Sequence, residues 1–350
     1  MKTLFIAADK IIDGKGSFKK SDKILKLAEK QELEIRTLSI VPLSRPWNSK
    51  LAPHEFKSGA AVAAAIAKAR RLLQTHKADL VVIEGKDLLK TGYDKKEREK
   101  YMKFYEGHNS PLDGYNELTK KFLEHFKISE SHYFQIREEL FQNLLRTWKK
   151  IDKNNPLPHE RWYQPLTYYF RGVDCANPNI DYEGRIILCT QNVSKRLKIP
   201  LKERTEIIGN ASIKLKVDGM ASIPHVASYK HLKKAIHKAQ EEAKIDFKKL
   251  FLKEEALLDI YSCYPVVPMG FLLSLSLIKR SEDFIPFLRK HPITVTGGLN
   301  LSRAAWNLTS LNALIDMRTT LQRTKKARIG LVHGNGSLGN QQGITILKKA

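Results

Sequence analysis

Leu258-Asp259-Ile260-Tyr261-Ser262-Cys263-Tyr264-Pro265 decides how this chain of 350 residues is read. A strand-like run breaks there into small and polar residues, and two later stretches repeat the pattern. They are Thr294-Val295-Thr296-Gly297-Gly298-Leu299 and Gly330-Leu331-Val332-His333-Gly334-Asn335-Gly336. In a sheet flanked by helices such breaks fall at strand ends, where ligands bind. Glycine at those points permits positive φ and brings backbone N–H groups close to a ligand oxygen.

Working outward, the second half alternates strand and helix. Strands are expected at 206–215, 257–262 and 293–296, helices at 230–244, from 266 onward and at 305–323, and a closing hairpin at 328–332 with 343–347. The first half reads similarly, with strands at 3–7 and 35–41 and a helix at 58–75. Alanine at 60, 61, 63, 64, 65, 67 and 69 favours that helix and lets it lie close against a neighbour, so it is expected to be buried. The following strand, 79–85, is apolar on both faces, as in a central parallel strand. Helix followed at once by strand is the order of an α/β protein. Residues 86–181 then change character. They are charged and aromatic (Phe104, Tyr105, Tyr115 and Tyr133 among others), contain an amphipathic helix at 129–151, and are punctuated by Pro156, Pro158 and Pro165. So long an excursion reads as an inserted subdomain. A strand at 185–190 and a short basic helix at 193–197 return the chain to the sheet.

These elements resemble the thiolase superfamily, especially its thiolase-like and sterol-carrier-type branch. The opening stretch is similar to that branch's D-x-Y-x-C-[FY]-P or H-D-C-F element. Thr296-Gly297-Gly298-Leu299 is similar to its T-G-G-L, and the segment ending at Gly336 to its glycine-rich final loop. Upstream, Ala78-Asp79-Leu80-Val81-Val82-Ile83 resembles A-D-V-V-I-A-G-G, and the run from Asp181 to Leu188 resembles D-G-A-A-A-L-V-L. The resemblance runs from about Lys57 onward and is most specific in the last third. It implies a thiolase-like α/β fold of two similar halves packed in layers. The N-terminal half would span 1–200 with an inserted loop subdomain at about 86–181, and the C-terminal half 201–350. It further implies an acyl-coenzyme A ligand, no other cofactor, and a homodimer extending its sheet across the interface.

Thiolases carry the acyl group on a cysteine at the head of a long helix, where the helix terminus favours the thiolate. In His54-Glu55-Phe56-Lys57-Ser58-Gly59 the matching position is Phe56, and residues 1–174 hold no cysteine. Tyr261 stands where the family has Asn or His, Ala304 at its G-H-P histidine, and His333 near its second cysteine. The resemblance therefore implies a thiolase-like acyl-CoA acyltransferase, of the acetyl-CoA acetyltransferase family, with a degenerate site. The alternative is an inert thiolase-fold subunit that binds an acyl-CoA or a protein partner. Cys263 and His333 are the catalytic candidates, since Cys–His is a nucleophile–base combination. Each also reads as a structural residue, Cys263 at a strand-to-helix turn and His333 in a loop. Gly297, Gly298, Gly334, Asn335, Gly336 and His225 are the substrate-binding candidates.

Bulk properties set outer limits. The hydrophobic share of 42% fits a globular chain, and no apolar run reaches the roughly 18–20 residues that span a bilayer. The first residues lack the long apolar region of a signal peptide, so a cytoplasmic protein without membrane association is expected. Cys175, Cys189 and Cys263 form no C-x-x-C pair, which gives no zinc or disulfide framework, and Cys189 reads as a small core residue. The formal charge of +24 fits a nucleic-acid surface, an anionic membrane or an acidic substrate such as coenzyme A. Pairs such as Lys95-Lys96 and Lys120-Lys121 have glutamates close by, and neither a helix-turn-helix nor an aromatic RNA-binding signature is present. Nucleic acid is therefore not the expected partner.

Overall fold

The computed structural model describes residues 2–103, 110–151, 153, 154 and 156–350. Phe104 and Tyr105 of the aromatic insertion lie outside them. Strand β1 (Thr3–Ile12) buries Leu4 to Ala7 and turns into the two-residue β2 (Lys15–Gly16). Helix α1 (Lys19–Lys30) follows, turning Ser21, Ile24 and Ala28 inward at helical spacing. Then come β3 (Ile35–Ile40), the short edge β4 (Glu55–Phe56), α2 (Ala61–Gln74) and β5 (Leu80–Leu88).

Among the described residues the insertion carries three α-helices, α3 (Lys95–Met102), α4 (Pro111–Phe126) and α5 (Glu130–Ile151), and then runs irregularly to the sheet. Ser110 caps α4, accepting from the Asp113 N–H, with Pro111 at the first helical position. The chain rejoins the sheet at β6 (Asp181–Thr190), followed by α6 (Gln191–Arg196). The second half runs β7 (Thr205–Lys214), α7 (Ile223–Val226), α8 (Lys230–Ala243), α9 (Phe247–Leu252), β8 (Ala256–Asp259), α10 (Val266–Ser274), α11 (Phe284–Lys290), α12 (Thr309–Arg323), β9 (Ile329–Gly336) and β10 (Gln341–Lys349).

The ten strands of the described residues join one sheet in the order β4-β3-β5-β6-β1-β7-β10-β9-β8, with β2 beside β1. The order is palindromic in kind. Reading outward from the β1/β7 junction, β6, β5 and β3 in one half match β10, β9 and β8 in the other. Pair orientations match too: β3 and β5 are parallel, as are β8 and β9, and the strands from β5 across to β9 pair antiparallel; the edge strand β4 adds one more parallel pair, to β3. This is the expected pair of similar α/β halves. They meet at the antiparallel contact of β1 with β7, where Thr3 faces Ile207. Helices α2 and α12, at equivalent places in the two halves, share one core with strands of both. Ala61, Ala65, Ile66, Ala69 and Leu73 of α2 are buried there, as the alanine density predicts.

Three expectations are corrected. Strand β5 is parallel only to β3, because the return strand β6 comes back antiparallel. Residues 293–296 form no strand. Their donors turn to a buried carboxylate instead: Asp259 Oδ2 accepts from the N–H groups of Val295 (2.8 Å) and Thr296 (3.0 Å) and from the Thr296 hydroxyl (3.0 Å). Gly334-Asn335-Gly336 is no loop either, but the buried end of β9. A Cβ on Gly334 would stand 2.7 Å from the Gly59 carbonyl, and one on Gly336 2.7 Å from Ser58 Oγ. The glycines are there so that the head of α2 can lie on the strand. Among the described residues no helix is long and apolar enough to cross a membrane.

Candidate functional site

Where the chain reaches α2 it passes through Ser58 at φ +123°, a conformation that side chains other than glycine rarely adopt. The turn is held from both sides. Ser58 N–H donates to Asn307 Oδ1 (3.1 Å), the Asn307 amide donates to the Val41 carbonyl (2.9 Å), and Ser310 Oγ donates to the Gly59 carbonyl. A cavity of about 440 Å³ opens at this point. Ser58 and Gly59 form one wall, Cys263 and Tyr261 from the turn after β8 another, Asn335 of β9 the floor, and Tyr115 of α4 the cover. Gly59 is required by close approach: a Cβ there would meet the Asn335 carbonyl at 2.2 Å and the Tyr261 hydroxyl at 2.6 Å.

The polar groups of the floor form a chain. Asn335 Nδ2 donates to the Tyr115 hydroxyl (2.7 Å), which donates to the Ser337 carbonyl (2.9 Å). The same amide lies 3.9 Å from Cys263 Sγ. Gln342 Nε2 donates to Asn335 Oδ1 (2.8 Å), and His333 Nε2 donates to Gln342 Oε1 (2.7 Å). Cys263 and His333 thus share one network with two amides between them, and the Asn335 amide and the Tyr115 hydroxyl both reach the sulfur. Burial pushes the Cys263 thiol up to about 12, so it is protonated at neutral pH, and pushes His333 down to about 4, so its ring is neutral. The His333 Nδ1 has no hydrogen-bond partner among the described residues. Tyr115 also stacks on Tyr264, ring centroids 4.1 Å apart.

The other candidates are placed elsewhere. Phe56 pairs with Ile40 in β4 and does not line the cavity. The cavity wall at the head of α2 is Ser58, two residues on. Ala304 does line it, beside Trp306. Gly297 and Gly298, both at positive φ, pack beneath α5, where a Cβ would meet Trp148 at 3.0 Å and Leu144 at 2.7 Å. His225 is exposed on α7 and lines neither cavity. Tyr115, Ser58 and Gln342 escaped the sequence reading. Only Ser58-Gly59, at the head of the alanine-rich helix, carried a signal that could have shown it.

A second cavity of about 600 Å³ adjoins the first, the two sharing Leu166, Cys175, Ala176 and Pro178. Trp148 and Trp162 line it, with Arg98, His159 and Arg303. Arg98 donates to the Pro178 carbonyl (2.6 Å), and Arg303 pairs with Asp13 (2.6 Å). Over the mouth of the first cavity, Trp47 Nε1 donates to Asp218 (3.3 Å) while Lys57 lies over its ring at 5.5 Å. Burial, then Arg45 and Lys214, lower Lys57 to about 8. Among the described residues no three His, Cys, Asp or Glu side chains cluster as metal ligands.

No protein-family model and no curated protein matches the sequence. Solved structures do. The crystal structure of a monomeric SCP2-thiolase like protein type 1 from Mycobacterium smegmatis has TM-score 0.70 and 16% identity, over 99% of this chain and 77% of that one. The Ltp2-ChsH2(DUF35) aldolase has TM-score 0.68 and 10% identity, over 98% and 97%. The acetyl-CoA acetyltransferase of Bacillus anthracis has TM-score 0.64 and 12% identity, over 100% and 99%. At these identities the likeness establishes the fold, which is that of the thiolases.

Proposed function

We propose that the two adjoining cavities take an acyl-coenzyme A, and that the chain is a thiolase-like acyltransferase whose site has lost the family's nucleophile. The observation that carries this reading is the cavity between the head of α2 and the turn after β8, with Ser58 and Cys263 on its walls. The thioester end would lie there against Asn335. The second cavity suits the nucleotide end, with tryptophans for a base and cations for phosphates. Cys263 is the one thiol beside the Asn335 amide, and acyl transfer onto it would need its proton removed. Asn335 can donate to an acyl oxygen but cannot take that proton.

A second reading, an inert acyl-CoA-binding subunit or the partner of another protein, gains from the same chemistry. A buried thiol held near 12 with no base beside it among the described residues is a poor nucleophile at neutral pH. The similar aldolase structure names two components, which is one form such a subunit takes. Release of coenzyme A from acetoacetyl-CoA by the parent and by Cys263→Ala separates the readings. Slow release abolished by the substitution supports the acyltransferase, and no release from either supports the subunit. Assembly is part of the proposal. A homodimer paired along β4 should scatter light at twice the 40.1 kDa chain mass, and scattering at the single-chain mass would refute it.

A further inference from the structure

Helix α1 carries Lys19, Lys23, Lys26 and Lys30 at intervals of four, three and four residues, which puts all four on one face. At 1.5 Å per residue the stripe is about 16 Å long. An open trough of about 570 Å³ runs along it, lined by these lysines with Asp22 and Leu27. Among the described residues none of the four ammonium groups forms a side-chain hydrogen bond or an ion pair, and the lysines are exposed. The acid in the trough is already engaged, Asp22 by Arg185 at 2.7 Å, and Lys20 beside it pairs with Glu203 at 2.6 Å. The charges therefore do not neutralise one another here, as they do on α4, where Lys121 pairs with Glu124. Like charges three and four residues apart oppose the helix, as do lysines in its first turn facing the dipole. Only Lys30, in the last turn, is favoured by the dipole.

The charged face continues onto α6. Arg196 donates to the Gln31 carbonyl (2.5 Å) at the end of α1, and Lys195 and Lys198 are exposed beside it. Both helices cover the outer side of β1 and β6 through Ile24, Ala28, Val193 and Leu197, and α1 contributes to neither cavity. The sequence points away from nucleic acid because its lysine pairs have glutamates nearby; the four lysines of the α1 stripe have no such partner among the described residues, and we propose that this face binds the phosphate backbone of double-stranded nucleic acid without reading its sequence. Lysines bind phosphate as compact point charges, and a row of four along the face of α1 meets the dense, regular line of charge that a duplex carries. The stripe offers no ring on which unpaired bases could stack, since Phe18 at the head of α1 already lies under Arg185 at 4.6 Å. The apolar side of α1 is turned into the core, which leaves nothing to insert into a bilayer.

The test follows a labelled duplex of about 20 base pairs by fluorescence anisotropy between 50 and 200 mM salt, a range over which backbone binding falls steeply. Lys23→Gln/Lys26→Gln removes two contacts and should make the slope of log K against log salt shallower by about 1.8. Lys23→Arg/Lys26→Arg should restore it, and Lys233→Gln/Lys234→Gln on α8 should leave it unchanged. Melting of the glutamine variant at or above the parent temperature shows that the loss is not unfolding. Equal slopes for parent and stripe variant would overturn the proposal, as would an equal loss in the α8 variant. So would binding to vesicles containing phosphatidylserine with none to the duplex.

Discussion

The side-chain amide of Asn335, at the buried end of β9, donates to the hydroxyl of Tyr115 at 2.7 Å. One bond thus ties the inserted helices to the sheet at the cavity floor. Tyr115→Phe would leave that buried amide and the Ser337 carbonyl short of a partner, costing about 1–3 kcal/mol. The thermal midpoint should fall by a few degrees. The fluorescence of Trp47 and Trp306, which line the same cavity, gives a second readout. An unchanged midpoint would mean that the bond contributes nothing.

Gly59→Ala should be more damaging than alanine substitution usually is in the turn before a helix. The new methyl would stand 2.2 Å from the Asn335 carbonyl and 2.6 Å from the Tyr261 hydroxyl, and overpacking of this kind costs about 1–3 kcal/mol. Gly14→Ala, with nothing within 4 Å of the added carbon but at φ +76°, serves as the comparison. Chemical denaturation should place Gly59→Ala well below it.

Asp259 gives a pH dependence of definite sign. Burial raises its carboxyl to about 7 against the pull of its three donors. The folded state therefore holds the proton more tightly than the unfolded state does. The stability this contributes is complete below pH 4, is lost as pH rises toward 7, and changes little beyond. Asp259→Asn cannot titrate, so the stability difference between parent and variant should shift in the variant's favour between pH 4 and pH 7. Urea midpoints at both pH values measure the shift, and a shift of the opposite sign would show the carboxyl to be depressed.

The strand and helix order was legible because its signals are local. Apolar runs gave β5 and β9, and alanine density gave α2. The errors share one cause: a residue's partner lay far away in the chain. Residues 293–296 look like a strand, but their donors answer to Asp259. Gly334 and Gly336 look like a loop, but they answer to the head of α2. Cys263 and Asn335 were legible through their motifs. Tyr115, which covers both, sits in the charged and aromatic insertion, where no spacing sets it apart from its neighbours.

Burial of all three cysteines predicts their reactivity. Desolvation raises each thiol, Cys263 and Cys189 to about 12, so iodoacetamide at pH 8 should leave the native protein unlabelled while the unfolded chain takes three labels. Rapid single labelling at Cys263 would instead reveal an activated nucleophile.

The central claim is that the paired cavities hold an acyl-coenzyme A. Calorimetric titration with a thioether analogue, which cannot be cleaved, tests it apart from any turnover. The parent should bind one equivalent. Ala304→Phe, which places a ring in the first cavity where Ala304 now lines it, should weaken binding at least tenfold. No heat from the parent, or equal affinity in both proteins, would contradict the account.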